Sequence, residues 1–283
     1  MINVLLIGVV LLTVIYPLYF IVIASISDPN MVNSGQVILF PKGITFEGYE
    51  RVMRESDIWR GYLNTIIYTV CFTVIGLVTT LTAAYALSRK DFYARNFFLT
   101  VFMITTFFGG GMIPTYMLLK NLGWTNEIWS IILPGAVSVY NMIVARTYFQ
   151  TTIPYELQEA ARIDGCSDFG IFFRVMIPLS APIIAVIALF LAVNMWNSYF
   201  SAMMYLTDES KYPLQLILQD ILLKQQMTEQ IGGAGSLAMA EQNRISELIK
   251  YALMLVSTLP IMVVYPFVQK YFVKGMMIGA VKG

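Results

Sequence analysis

The residues best suited to a defined chemistry in this chain of 283 residues lie in one polar segment, YELQEAARIDGCSDFGIFFRVMIP, at 155–178. What it offers is contact rather than catalysis. Pro154 and Glu156 suit a first helical turn, where a missing N–H does no harm and negative charge meets the positive end of the helix dipole. Gly165 follows Asp164 at the position just past a helix end, where a positive φ is needed. The spacing therefore predicts a helix over about 154–164. Ala160 and Ala161 would give that helix a face almost without side chains, which another protein can approach closely. Glu159 beside them adds one orienting charge. The half from Phe169 to Pro178 is expected to pack back and enter an apolar run, tying the helix to a membrane segment. On spacing alone a solvated loop helix is the plain alternative.

A second constellation is NMWNSYF, residues 194–200, at the end of an apolar run. The amides of Asn194 and Asn197 can hydrogen-bond hydroxyl groups, and the rings of Trp196 and Tyr199 can stack on the apolar face of a sugar. Trp and Tyr in that position also fit an interfacial aromatic belt. The third is FFGGGMIP, residues 107–114. At a rise of about 1.5 Å per residue from Phe97, Gly109 falls roughly 18 Å into a span, near mid-bilayer. Gly109, Gly110 and Gly111 with Pro114 are expected to loosen or break the helix. Broken membrane helices occur where backbone lines a cavity, and small residues also serve close helix packing; both readings stay open.

The motifs of covalent and hydrolytic chemistry are missing. The chain has no histidine and no GxxxxGK[ST], HExxH, CxxC or GxSxG pattern. It is not expected to hydrolyse nucleotide or to be an enzyme. No charge falls within an apolar run, which argues against an ion-coupled carrier built on intramembrane carboxylates or histidines. If the chain moves a solute uphill, another subunit supplies the energy.

The elements that must position these groups are apolar helices. The chain is 58% hydrophobic and 12% charged, against about 25% charged in an average soluble domain. Residues 1–27, 61–88, 96–119, 128–145, 175–207 and 251–269 contain no Asp, Glu, Lys or Arg. Each run can hold about 20 residues of spanning helix, and backbone in lipid must satisfy itself. The expectation is an all-α polytopic membrane protein forming one domain, with six spans at about 2–24, 61–88, 97–119, 128–148, 176–204 and 249–270. The first run lacks a basic n-region and an A-x-A-like site, so it reads as a span rather than a signal peptide. Six spans put both termini on one side. With the N-terminus inside, the inner segments carry nine basic and five acidic residues, against nine and twelve elsewhere. That asymmetry favours both termini in the cytoplasm. Cys71 and Cys166 fall at different depths and are not expected to pair.

Two longer polar pieces remain, 27–60 and 205–250. In the second, Leu214, Ile217, Leu218, Ile221 and Leu222 recur at helical spacing opposite Gln215, Gln219 and Lys224, after Pro213. That pattern predicts an amphipathic helix. GGAGSLAMA, 232–240, reads as a flexible loop, in a piece too long for a mere connector.

The 155–178 segment also carries a resemblance. EAARIDGCSDFGIFFRVMIPLSAP is similar to the E-A-A-x-x-x-G-x(9)-I-x-L-P signature of importer-type ABC transporter permeases. Glu159, Ala160, Ala161 and Gly165 match it, while Val175 and Ile177 replace its Ile and Leu. NLGWTNEIWSIILP (121–134), WNSYF (196–200), LTDESKYPLQL (206–216) and FVKGMMIGAVKG (272–283) resemble the carbohydrate-uptake permeases, closest to the smaller membrane subunit of maltose-type transporters. The resemblance covers nearly the whole chain. It implies a bacterial cytoplasmic-membrane permease importing a sugar, with an oligosaccharide expected. The helix at 154–164 would then be a coupling helix seated on a cytoplasmic ABC ATPase dimer. That ATPase would use ATP and Mg, and this chain would bind no cofactor. A second homologous permease would complete the pathway and an extracellular sugar-binding protein would deliver the solute; membrane lipid surrounds the chain, and nucleic acid is no partner. Permeases for amino acids or metals share the signature and form the alternative, with an ion-coupled sugar carrier behind them.

Overall fold

The computed structural model describes residues 2–231 and 237–280, with side-chain surroundings for 3–224, 244–267 and 269; every regular element among them is helical. The chain divides into two compact units, residues 1–64 with 210–262, and residues 65–209 with 263–283.

The first unit begins with α1, Ile2–Ser25. Its large apolar side chains from Val4 to Leu18 are exposed, as a helix facing lipid requires. A short helix α2, Pro29–Asn33, is capped by Asp28, whose carboxylate accepts from the Asn30 amide at 2.8 Å. Next come α3, Glu47–Arg54, and the start of α4, Ser56–Ser88. Val52 and Ile58 pack with Leu214, Leu218, Ala252 and Leu253 in a buried cluster. A Cβ on Gly48 would meet the Leu248 carbonyl oxygen at 2.5 Å, so α3 crosses its neighbour at backbone contact. Glu47 binds Arg51 at 2.8 Å and Arg244 at 3.1 Å. The Arg51 hydrogen bond, helped by Arg244, holds the Glu47 carboxyl below its ordinary range. The two polar pieces at 27–60 and 205–250, separate in sequence, thus contribute residues to one unit.

In the second unit α4 continues as its backbone. Thr65, Tyr68, Phe72, Gly76, Thr80, Ala84 and Leu87 are buried along it at helical spacing. Gly76 lets Leu191 and the Ala136 carbonyl come within about 3 Å of where a Cβ would stand. The helices that follow are α5, Arg95–Phe107; α6, Met112–Asn121; α7, Trp129–Ala136; α8, Val139–Thr151; and α9, Tyr155–Ile163. Then come α10, Asp168–Leu179, with a π-helical turn at Phe172–Met176; α11, Ala181–Trp196; and α12, Phe200–Tyr205. The amphipathic helix expected after Pro213 is α13, Leu214–Ile231, and the last helix is α14, Leu237–Ala280.

Three helices are long and apolar enough to span a membrane unbroken, and three bent pairs bring the total to as many as six. The pairs are α5 with α6 at 112°, α7 with α8 at 46°, and α10 with α11 at 81°. Each bend has a local cause. Between α5 and α6 lies the glycine run, with Gly111 at φ +85°, a conformation costly to any residue with a Cβ. Between α7 and α8, Pro134 precedes an extended Val137, and Ser138 restarts the chain by capping Asn141. Ser180 leaves helical geometry between Pro178 and Pro182. The span at 97–119 is broken at the glycines, as their run predicts, and the spans expected as single helices over 128–148 and 176–204 are also broken ones. The last also ends early, because Asn197, Ser198 and Tyr199 lie outside helices. The GGAGS part of the expected loop, 232–236, lies outside the described residues, as do residues 281–283 of the tail. Cys71 and Cys166 are unpaired.

Candidate functional site

The segment at 155–178 folds as its residue types require. α9 runs from Tyr155 to Ile163, with Pro154 as its N-cap and Glu156 in its first turn. Its end is a Schellman motif: the Gly165 amide donates to the Arg162 carbonyl at 3.1 Å and the Cys166 amide to the Ala161 carbonyl at 2.9 Å. Gly165 holds φ at +78°. Ser167 then starts α10, its hydroxyl accepting from the Gly170 amide at 3.2 Å. Two helices with complementary ends thus meet in a tight corner of fixed geometry.

The two alanines do not share a face, contrary to expectation. Ala160 is exposed and Ala161 is 9% exposed, turned into the chain with Gln158. They are adjacent, about 100° apart around a helix, and the edge of the outward face falls between them. The outward face carries Glu156, Leu157, Glu159, Ala160 and Ile163, with Asp164 and Gly165 beyond it. Ile163 is 86% exposed, and Phe169 across the corner is 78% exposed. Large apolar side chains at such exposure on one corner mark a contact surface.

A four-residue charge cluster holds this corner to the end of α4. Arg89 grips Asp91 with two nitrogens, Nε to Oδ1 at 2.9 Å and Nη2 to Oδ2 at 2.6 Å. Its Nη1 reaches Asp168 at 2.8 Å and the Tyr85 hydroxyl at 2.8 Å. Arg162, in the last turn of α9, reaches Asp91 at 3.0 Å and Asp168 at 3.7 Å. The Arg89 side chain is only 10% exposed, whereas lone surface pairs contribute little. The Arg89 hydrogen bond holds the Asp91 carboxyl below its ordinary range. Burial pulls Arg89 the other way, but its bonds to Asp91 and Tyr85 outweigh that and raise it. Below the α4 end, the ring of Tyr85 lies 5.1 Å from that of Phe172, which is buried at the π-turn. Spacing along the chain did not reveal this cluster, whose charges had served only in counting; the single hint was RKD at the close of an apolar run.

The second constellation is split. Asn194 and Asn197 are exposed, one turn apart on α11 and its cap. The Asn197 amide nitrogen donates to the Val193 carbonyl at 2.9 Å, leaving its oxygen to face outward. Trp196 is 5% exposed and Tyr199 37% exposed, so Trp196 belongs to the core and not to the face of the asparagines. Gly109, Gly110 and Gly111 are exposed, and a Cβ on Gly109 would meet nothing within 4 Å. That excludes close packing around Gly109 among the described residues. Sequence reasoning also missed Asn126, which takes a positive φ of 63°. Its side-chain oxygen accepts from the Thr207 amide at 3.1 Å and the Asp208 amide at 3.0 Å, and its own amide donates to the Tyr205 carbonyl at 2.8 Å. Asn126 thereby clasps the turn at 205–208.

Apolar spans, one of them broken at glycines, and a capped polar corner between two of them describe a membrane transport component. A bacterial ABC transporter involved in the import of the acidic polysaccharide alginate contains a chain that matches with a TM-score of 0.85 at 35% identity, over 96% of this chain and 95% of that one. The family model for the binding-protein-dependent transport system inner membrane component matches residues 73–278. The chain belongs to that family. Among relatives, the protein LplC of Bacillus subtilis is 38% identical over 99% of this chain and 94% of its own length. The polygalacturonan/rhamnogalacturonan transport system permease protein YtcP of the same species is also 38% identical, over 95% and 93%.

Proposed function

We propose that this chain is a permease subunit of an ATP-driven importer in a bacterial cytoplasmic membrane, forming half of the path of an oligosaccharide, with both termini in the cytoplasm. Family membership supports the importer class. Relatives named for alginate and for polygalacturonan/rhamnogalacturonan support a saccharide. In this reading α9 is the coupling helix. Its outward face, Glu159, Ala160 and Ile163, seats on a cytoplasmic ATPase dimer that hydrolyses ATP with Mg. The observation that carries the reading is the exposed apolar edge of a helix whose other side is locked to α4 and α10 by charge pairs and a Schellman cap. Force applied at Ile163 passes to the spans because the corner cannot bend. An extracellular binding protein delivers the saccharide, a second permease closes the path, and Asn194 and Asn197 offer hydroxyl-binding amides along it.

The test is uptake in proteoliposomes holding the chain with its genomic neighbours. Oligosaccharide should enter only with ATP inside and loaded binding protein outside. Uptake driven by a proton or sodium gradient without ATP would overturn the proposal. Ala160→Trp puts a large ring on the docking face and should abolish binding-protein-stimulated ATP hydrolysis while membrane insertion persists.

A further inference from the structure

Beside α9 lies a cavity that the coupling reading does not use. Its volume is about 280 Å³, and its lining includes Lys90, Arg95, Gln150 and Gln158, with buried Phe149 and Ile153 as an apolar wall. No carboxylate lines it. Lys90 stands 4.5 Å over the ring of Tyr155, itself part of the lining, and Arg95 reaches the Arg89 carbonyl at 3.4 Å. Arg146, whose Nε donates to the Leu87 carbonyl at 3.0 Å, is close enough to repel Arg95. None of these three cations makes an ion pair among the described residues, although Arg89 and Arg162 nearby are both paired. Like charges left together without acid are costly unless an anion joins them.

A further feature points to an anion. Gln158 is 9% exposed, lines the cavity, and its amide has no hydrogen-bond partner among the described residues. Tyr155 and Gln158 belong to the first turn of α9, whose Pro154 N-cap offers no side-chain acceptor, and the one acid of that turn, Glu156, is exposed and absent from the lining. Guanidinium, ammonium and amide together make a phosphate-binding set. The position indicates the source of the phosphate. Ser88, which ends α4, and Arg95, which begins α5, both border the cavity, so it lies at the ends of two apolar helices, at headgroup depth. Basic pockets between membrane helices bind anionic headgroups.

We propose that this cavity binds the phosphate of an anionic phospholipid. The site lies on the flank of α9 opposite the exposed edge and does not depend on which solute is carried. The test uses the full chain, purified with its partners in neutral detergent and titrated separately with dioleoylphosphatidylglycerol, dioleoylphosphatidylcholine and inorganic phosphate, read by native mass spectrometry. Phosphatidylglycerol should bind in preference to phosphatidylcholine. Lys90→Gln with Arg95→Gln should weaken it roughly tenfold, and Gln158→Leu severalfold, while Arg54→Gln in the first unit leaves it unchanged. Should the double variant fail to fold, Gln158→Leu decides the matter alone. Inorganic phosphate bound by the wild type and lost in the variants, without lipid preference, would keep the phosphate site and move its source to solution. Equal binding of the two lipids with no phosphate bound, or binding untouched by the variants, overturns the proposal.

Discussion

The corner around α9 and the exposed groups at 109–111 and 194–197 belong to the same unit and are built in opposite ways. At the corner the end of α9 and the start of α10 are both capped, Gly165 and Ser167 settle the turn, and Arg89 and Arg162 share two aspartates. At the glycine run a Cβ on Gly109 would meet no atom of the described residues within 4 Å, and Asn197 spends one donor on its own helix. Over-determined geometry suits a part that transmits force, and unspent polar groups suit a part that meets a changing ligand. The contrast teaches that rigidity and vacancy are allotted by place within one bundle.

The contrast breaks most completely at Arg89. Arg89→Met leaves Asp91 and Asp168 facing each other across a site that had two guanidinium groups and now has one. Hydrogen bonds to charged groups contribute about 1.5–3 kcal/mol each, and the half-exposed aspartates place this loss at the low end. Transport should fall more than tenfold while ATP hydrolysis continues without stimulation by loaded binding protein, and Arg89→Lys should restore part of the coupling. A variant that transports normally would show that the corner needs no clamp. Gly165→Val comes next. It forces a β-branched residue to φ +78° at a cost of about 1–2 kcal/mol or more, though a Cβ there meets no neighbour. Any loss of coupled ATP hydrolysis would thus come from backbone geometry and not from a clash. Acid acts on the same cluster. The Asp91 carboxyl is lowered by Arg89, so its stabilisation is complete above its unfolded pKa near 4 and fades as pH falls through its lower folded value. Chemical-denaturation midpoints of wild type should therefore drop as pH falls below about 4, and those of Asp91→Asn should drop less.

Much of the corner was legible because local chemistry decides it. Pro154, Glu156 and Gly165 specify a helix start and stop through rules that act within one turn, and the ends of α9 fall one residue inside the expected ones. The break at Gly109, Gly110 and Gly111 was legible for the same reason. The pairing of Arg89 with Asp168 was not, since it joins residues 79 positions apart and depends on how α4 meets α10. Trp196 was misplaced among the pathway residues because composition groups it with Asn194 and Asn197, while helical phase turns it to the buried side. The bends of 46° and 81° were missed for a related cause: charge-free runs report that a span exists and carry little about where Ser138 or Ser180 interrupts it.

The smallest effect gives the sharpest comparison. If Asn194 and Asn197 offer their amides to a passing saccharide, Asn194→Leu and Asn197→Leu should each lower uptake only severalfold, since one hydrogen bond contributes about 0.5–1.5 kcal/mol. Neither change should alter the melting temperature much, because both side chains are exposed and Asn197 loses only a bond to its own helix. That distinguishes them from Trp196→Leu, which opens a hole where a buried ring stood and should destabilise the protein whatever it does to transport. Cysteines at 194 and 197, in a chain cleared of Cys71 and Cys166, should react with small water-soluble thiol reagents, and loaded binding protein with ATP should change the rate. Silence at both positions in every nucleotide state would place them against lipid or a neighbouring helix. The asparagines would then join the structural half of the contrast, and the open half would rest on the glycine break alone.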